Sequence, residues 1–391
     1  MRHQSSPVYL DYCASTPLDP RVEAAMQPYF RGTFGNASSA HAQGRAAEAA
    51  VEDARERAAN LLNCLPDEII FTSGGSESDN LALRGAGLAM RRETGRARIV
   101  TTHAEHHAVS RTAASLAEWL GFEAQFVPVD SAGRASADAV EAAASGAALI
   151  SLMLANNEVG TVQDVAALAE MAHRHGALFH TDAVQAGGVL ALDTQALGAD
   201  LLSLSAHKFY GPKGVGLLYM RRGTPMSPVI TGGSHEHGLR AGTSNTPGIV
   251  GMVRALELAR DEREPRTAQL TARRDQLIGG ILGAVSGAHL TGHPTGRLPG
   301  HASFVFDGVD GNLLLMHLDA RGVMASSGSA CTTGNPEPSE VLLALGYSRE
   351  LALSGLRLSA GIHTSEADIE YAIGAVAESV EAVRRLQSAY A

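Results

Sequence analysis

The chain has 391 residues, 45% of them hydrophobic and 18% charged, with a formal net charge of -10, which allows more than one domain around a sizeable core. The acidic balance argues against a dedicated nucleic-acid binder, which carries a basic stripe, and no apolar run approaches the roughly 20 residues that span a bilayer. Cys13, Cys64 and Cys331 are too few and too far apart for a disulfide framework or a zinc site; with a short polar start that lacks a signal segment, they give the expectation of a cytoplasmic protein. From about residue 40 to 220, short apolar runs alternate with longer amphipathic stretches. The predicted strands are Glu68 to Thr72, Arg98 to Thr101, Glu123 to Val127, Ala148 to Met153, Leu178 to His180, Leu201 to Leu204 and Gly216 to Met220. Between them, Gln43 to Leu62, Ser76 to Arg92, Val109 to Leu120 and Asp164 to His175 carry helical spacing and many alanines. This alternation predicts an α/β domain with a largely parallel sheet.

Further on, Ile249 to Val285 reads as one long helix, with Glu262 to Pro265 as its weakest part. His301 to Phe306 and Leu356 to Ser359 read as strands, and Gly311 to Arg321 and Ser365 to Leu386 as helices. Residues from about 260 onward are therefore expected to form a smaller α+β domain. Segment 325–340, rich in Ser, Gly, Thr and Pro, reads as a mobile loop.

Ligands of parallel α/β sheets gather at the carboxyl ends of the strands. Gly74-Gly75-Ser76, Asn156-Asn157-Glu158, Asp182 and Ser205 to Lys208 all fall there. A strand-end lysine with a carboxylate at the end of another strand suits pyridoxal phosphate: the amine forms a Schiff base, and the carboxylate keeps the pyridine nitrogen protonated. Gly75 and Ser76 open a helix and offer N–H groups and a hydroxyl to a phosphate; a glycine turn with a serine cap is the plainer reading. Gln185 is in reach of the cofactor's phenolic oxygen if the chain turns helical after Asp182. His106 can stack on an aromatic ring, with His103 and His107 as rivals by proximity. Arg357 is an arginine inside an apolar strand, and it needs a partner: a substrate carboxylate or an internal salt bridge. Cys331 lies in polar, glycine-bearing surroundings, unlike a buried structural thiol, and is a candidate nucleophile. Cys13 and Cys64 lack that setting.

Taken in order, Tyr9-Leu-Asp-Tyr-Cys-Ala-Ser-Thr-Pro17, Phe71-Thr-Ser-Gly-Gly-Ser-Glu-Ser-Asp-Asn80, Asn156-Asn-Glu-Val-Gly160, His180-Thr-Asp-Ala-Val-Gln185, Ser205-Ala-His-Lys-Phe-Tyr-Gly-Pro-Lys-Gly214, Arg240-Ala-Gly-Thr243 and Ser326-Ser-Gly-Ser-Ala-Cys331 resemble the cysteine desulfurase family, the NifS/IscS-like branch of class V aminotransferase-type enzymes. The resemblance covers essentially the whole chain. It implies a fold-type I pyridoxal 5'-phosphate transferase: an N-terminal segment 1–15 packing with the small domain, a large domain 16–260 with a mainly parallel seven-stranded sheet, and a small domain 261–391 carrying the catalytic cysteine loop. Lys208 would hold the cofactor, Asp182 its ring nitrogen, His106 its face and Gln185 its phenolic oxygen. Gly75, Ser76, Ser205 and His207 would surround the phosphate, with Thr243 arriving from the other subunit of a homodimer. Asn157 and Arg357 would orient the substrate carboxylate, and Asn157 also touches the cofactor. Cys331 would take sulfur from L-cysteine as a persulfide, leaving alanine, and pass it to an acceptor protein: an iron–sulfur scaffold, a tRNA-thiolation protein or a DNA-phosphorothioation protein. No metal, membrane or direct nucleic-acid contact is expected.

The chain departs from the family pattern at several places. His237 and Ile362 stand where arginine is frequent, Gly75-Ser76 replaces a common Ala-Thr, Ala241 replaces a frequent Ser, and Cys13 stands where Asn or Ser is usual. The arginine losses hint at a specialised paralogue. Rival readings on the same fold are a selenocysteine lyase, an aminotransferase or an epimerase; a rival of another class is a non-catalytic scaffold for a sulfur acceptor.

Overall fold

The computed structural model describes residues 7–327 and 337–390. Its strands are β1 (Val8–Tyr9), β2 (Ile69–Thr72), β3 (Arg98–Thr102), β4 (Glu123–Val127), β5 (Ala147–Ser151), β6 (Leu178–Asp182), β7 (Leu201–Ser205), β8 (Gly216–Met220), β9 (Ala288–Leu290), β10 (His301–Phe306), β11 (Val323–Met324) and β12 (Leu356–Ser359). Seven of them form a mixed sheet in the order β2-β8-β7-β6-β5-β3-β4. Only β8 runs against its neighbours, pairing antiparallel with both β2 and β7. The carboxyl ends of the other six strands therefore share one edge.

Adjacent side chains of a strand point to opposite faces, and helices cover both faces of this sheet, so the strands are apolar on both. Phe71, Val100, Ile150 and Leu217 join one buried core, while Ile70, Ile99, Leu149 and Leu218 join the core on the other side. Each such side chain contributes about 1.5–3 kcal/mol by leaving water.

Helices Ala42–Leu62, His107–Leu120 and Val165–Arg174 fall where the spacing predicted them. The latter two are capped by the side chains of His106 and Asp164. The stretch from Gly75 to Thr94 is helical but widens to π geometry at Leu81–Ala86. The expected single helix from Ile249 to Val285 is instead two, Thr246–Asp261 and Arg263–Ala284. Pro265 lacks an N–H and its ring collides with the carbonyl four residues back, which is that of Asp261. The chain leaves helical geometry between them, at Glu262 (φ -102, ψ 8).

Towards the C-terminus β12-β10-β9 form an antiparallel sheet. Its own core includes Leu277, Ile281, Phe304, Phe306, Leu358, Ile369 and Val376, together with Val8 and Leu10 from the start of the chain. β1 pairs in parallel with β11 beside it. None of the described helices is long and apolar enough to cross a membrane.

Candidate active site

The shared strand edge opens into a cavity of about 410 Å3. Each strand end delivers one part of it. β2 leads through Gly74 into the helix bearing Gly75, Ser76 and Asp79; β3 leads to Glu105 and His106; β5 leads to Asn157 and Glu158. β6 ends on Asp182, and β7 ends on Ser205, followed by His207 and Lys208. From the C-terminal sheet, β12 brings Arg357. Gly75, Ser76, His106, Asn157, Asp182, Gln185, Ser205, His207, Lys208 and Arg357 thus surround one cavity, although up to 282 positions separate them. Thr243 is exposed and does not line this cavity. Cys331 lies outside the described residues, as does most of the segment read as a loop.

Lys208 Nζ donates to the carbonyl oxygens of Cys13 (2.5 Å) and Ala14 (3.0 Å). Burial pushes its ammonium below the ordinary lysine range, and Arg357 pushes the same way, so more of it is a neutral, nucleophilic amine. The Gln185 amide donates to the same Cys13 carbonyl at 3.0 Å. The Cys13 thiol gives no sign of a role; its backbone carbonyl is what meets Lys208 and Gln185, and no side-chain motif signals that.

Asp182 is 5% exposed and accepts from the Val184 N–H at 2.9 Å. Burial raises its pKa, while His106 and Lys208 pull it down. His207 is pushed down to about 4 by burial and by the neighbouring lysines, so it meets a ligand as a neutral imidazole. One of its nitrogens, Nδ1, lies 3.3 Å from Ser15 Oγ.

Arg357 has the internal partner that was one of its two expected readings: Nη2 donates to Asp11 at 2.8 Å and Nη1 to the Asn157 carbonyl at 2.9 Å. Among the described residues its Nε has no hydrogen-bond partner, and neither does Asn157 Oδ1. Buried polar atoms left unpaired are costly and rare. Here they mark a cavity shaped for a polar ligand. Glu158, on the same wall, accepts from the Ser339 hydroxyl at 2.5 Å, and burial holds its carboxyl up at about 7. Asp79 and Glu105 line the cavity without a signal in the sequence, and Glu158 joins them from the strand-end string Asn156-Asn157-Glu158.

The glycine at position 75 has a packing reason. A Cβ there would sit 2.7 Å from Val184 Cγ2, so the Gly75 departure is matched to a bulky residue two positions after Asp182. Gly75→Ala is expected to cost about 1–3 kcal/mol of stability through overpacking, and the Gly75→Ala, Val184→Ala double variant to recover most of it. Thermal unfolding of the three proteins checks this.

These residues fit pyridoxal phosphate: an amine with a depressed pKa, a buried carboxylate opposite it, and a glycine-opened helix beside Ser205 and His207. The fold and the site define a class, and residues 8–372 match the family model of the class-V aminotransferases, a family of pyridoxal phosphate enzymes. A cysteine desulfurase IscS of Dictyoglomus turgidum is 44% identical over 97% of this chain and 96% of its own. The solved structure of a NifS-like protein superposes with a TM-score of 0.89 at 36% identity, covering 96% of this chain and 99% of that one. Another, SspA in complex with cysteine, gives a TM-score of 0.79 at 35% identity over 91% of this chain and 99% of its own. The chain belongs to the cysteine desulfurase family of the class-V aminotransferases.

Proposed function

We propose that the chain removes sulfur from L-cysteine, releases L-alanine and carries the sulfur as a persulfide on Cys331 to an acceptor protein. The observation that carries this reading is the meeting of Lys208, Asp182, His106 and Arg357 round one cavity in a chain 44% identical to a cysteine desulfurase. Pyridoxal phosphate, held by Lys208, supplies a ring that accepts electrons from bonds breaking at the substrate's Cα and Cβ. Gly75, Ser76, Ser205 and His207 would hold its phosphate, Asp182 would keep a proton on its ring nitrogen, His106 would stack on it and Gln185 would contact its phenolic oxygen.

Arg357 would hold the substrate carboxylate with its unpaired Nε–H, and Asn157 with its side-chain NH2. The Lys208 amine, once free, would take the proton from Cα and later return one there. The Cys331 thiolate attacks the substrate sulfur. A sulfur–sulfur bond forms and the Cβ–sulfur bond breaks; the electron pair left on Cβ takes up the proton that the substrate thiol gives up, and the proton returned to Cα completes alanine. The persulfide then passes to an acceptor thiol by attack on its outer sulfur.

The exposure of Thr243 away from its own chain's cavity supports a homodimer in which Thr243 completes the phosphate site of the neighbouring subunit. The acceptor is an iron–sulfur scaffold, a tRNA-thiolation protein or a DNA-phosphorothioation protein. The large domain 16–260 carries the cofactor, and segments 1–15 and 261–391 pack together as the small domain. A cytoplasmic location accords with the absence of a membrane-crossing helix among the described residues.

The test is Cys331→Ala. The variant is expected to hold the cofactor with its yellow colour, yet to release no alanine or sulfide from L-cysteine with reductant. Full turnover by that variant would sink the persulfide mechanism.

A further inference from the structure

Asp182 shares the cavity wall with two more buried acids. Asp79, on the helix Gly75–Asn80, is 1% exposed, and Glu105 and Asp182 are each 5% exposed. All three line the cavity. One step down β6 from Asp182, on the same face, His180 is fully buried. Its Nδ1 lies 2.8 Å from Ser151 Oγ, and its Nε2 lies 3.0 Å from Ser203 Oγ and 3.6 Å from Asp79 Oδ1.

Like charges packed this closely out of water cannot all be present, so the question is which carboxyl ionises. The hydrogen-bond donors decide it. Asp182 receives the Val184 N–H and lies in the field of Lys208 and His106. Glu105 receives the Met153 N–H at 2.9 Å, with its Oε2 unpaired. Among the described residues Asp79 receives no backbone N–H and its Oδ1 has no hydrogen-bond partner, and the Ser203 hydroxyl offsets only part of its burial. His180 brings no countercharge, because burial pushes it down to about 3. Burial first, and then the charge on Asp182, drive Asp79 well above the usual carboxylate range.

We propose that Asp79 and Asp182 hold one proton and one negative charge between them, the proton on Asp79 and the charge on Asp182. Asp79 is then a positioning residue that leaves the negative charge of the pair on Asp182, which would face the ring nitrogen. That last clause rests on the role assigned to Asp182; the shared proton does not.

The test therefore uses the apoprotein and needs no turnover. A carboxyl that the fold keeps protonated contributes stability at low pH and loses it as pH rises from the ordinary carboxylate range toward its folded midpoint, because the unfolded chain ionises first. Thermal unfolding from about pH 5 to about pH 9 is expected to show wild type losing Tm against Asp79→Asn steadily as pH rises. In an Asp182→Asn background, with the like charge gone, the same comparison is expected to give a shallower slope. Parallel curves for wild type and Asp79→Asn, or a slope unchanged by Asp182→Asn, would overturn the proposal. Should Asp79→Asn not fold, infrared spectra of the apoprotein decide. The proposal expects a protonated-carboxyl C=O band at neutral pH that survives in the Glu105→Gln, Glu158→Gln double variant. Its absence there overturns the shared proton. A desulfurase reading that failed for other reasons would leave these apoprotein results in place.

Discussion

Lys208→Ala is expected to lower L-cysteine turnover by about 100- to 10,000-fold, the range that a positioned general acid–base group supplies, and to abolish covalent retention of the cofactor. The argument is local. Nζ is the nucleophilic amine on the cavity wall, where the Cys13 and Ala14 carbonyls aim it at 2.5 and 3.0 Å and burial holds its pKa down. No second amine replaces it, since the chain's other lysine in that string, Lys213, does not line the cavity. Lys208→Arg is expected to fail equally, because a guanidinium keeps the charge but stays protonated and forms no such bond. Borohydride reduction followed by mass measurement of the peptide reads the link directly: wild type gains the mass of the reduced cofactor and neither variant does. Turnover within tenfold of wild type in Lys208→Ala would remove this residue from the mechanism.

Arg55→Ala is expected to cost about 3–5 kcal/mol of unfolding free energy, the scale seen when one partner of a buried ion pair is removed. Arg55 and Glu236 have side chains only 4% and 5% exposed and meet at 2.8 and 3.0 Å. Arg55 also donates to the Ile69 carbonyl at 2.6 Å and lies 5.0 Å from the centre of the Phe71 ring, while Glu236 accepts the Phe71 N–H. The pair holds the chain in an unusual shape, since Glu236 and His237 both have left-handed backbone, with φ 48 and 57, which is unfavourable outside glycine and asparagine. Further along, Arg240 bonds Glu77 at 2.8 Å, so the strap from His235 to Arg240 is pinned to β2 and to the helix after it, just ahead of Thr243. Denaturant unfolding of Arg55→Ala and of Arg55→Met with Glu236→Gln separates charge from packing. The double variant keeps an acceptor for Phe71 N–H and strands no charge, so it is expected to lose less than the single one. Equal losses would assign the effect to packing alone.

The elements that the chain announces locally were legible. β4, β8, β10 and β12 begin and end at the residues their apolar runs predicted. The two-faced strands betrayed a covered sheet, and the strand-end positions of Asp182, Ser205 and Lys208 betrayed the cavity edge. Arg357 stood out because an arginine in an apolar strand must have company, and the structure supplies Asp11 from the other end of the chain. Two features did not show in full. The antiparallel placement of β8 depends on which strands it pairs with, not on its own residues. The break at Glu262 was legible only as a weak part of one long helix, Glu262 to Pro265; that the chain leaves helical geometry there depends on Pro265 acting back on the preceding turn.

By itself the sequence determined the alternation of strands and helices, the family, and the side chains that turn up around the cavity, because periodicity, turn residues and strand ends depend on neighbours a few positions away. Only the tertiary structure decided what those side chains touch. It set the Cys13 carbonyl against Lys208, Glu236 against Arg55 across 181 positions, and Asp79 and Glu105 on the same cavity wall as Asp182. The physical reason is that the charge and hydrogen bonding of a buried group are set by whatever packs against it, and here the packing comes from the order of strands in the sheet.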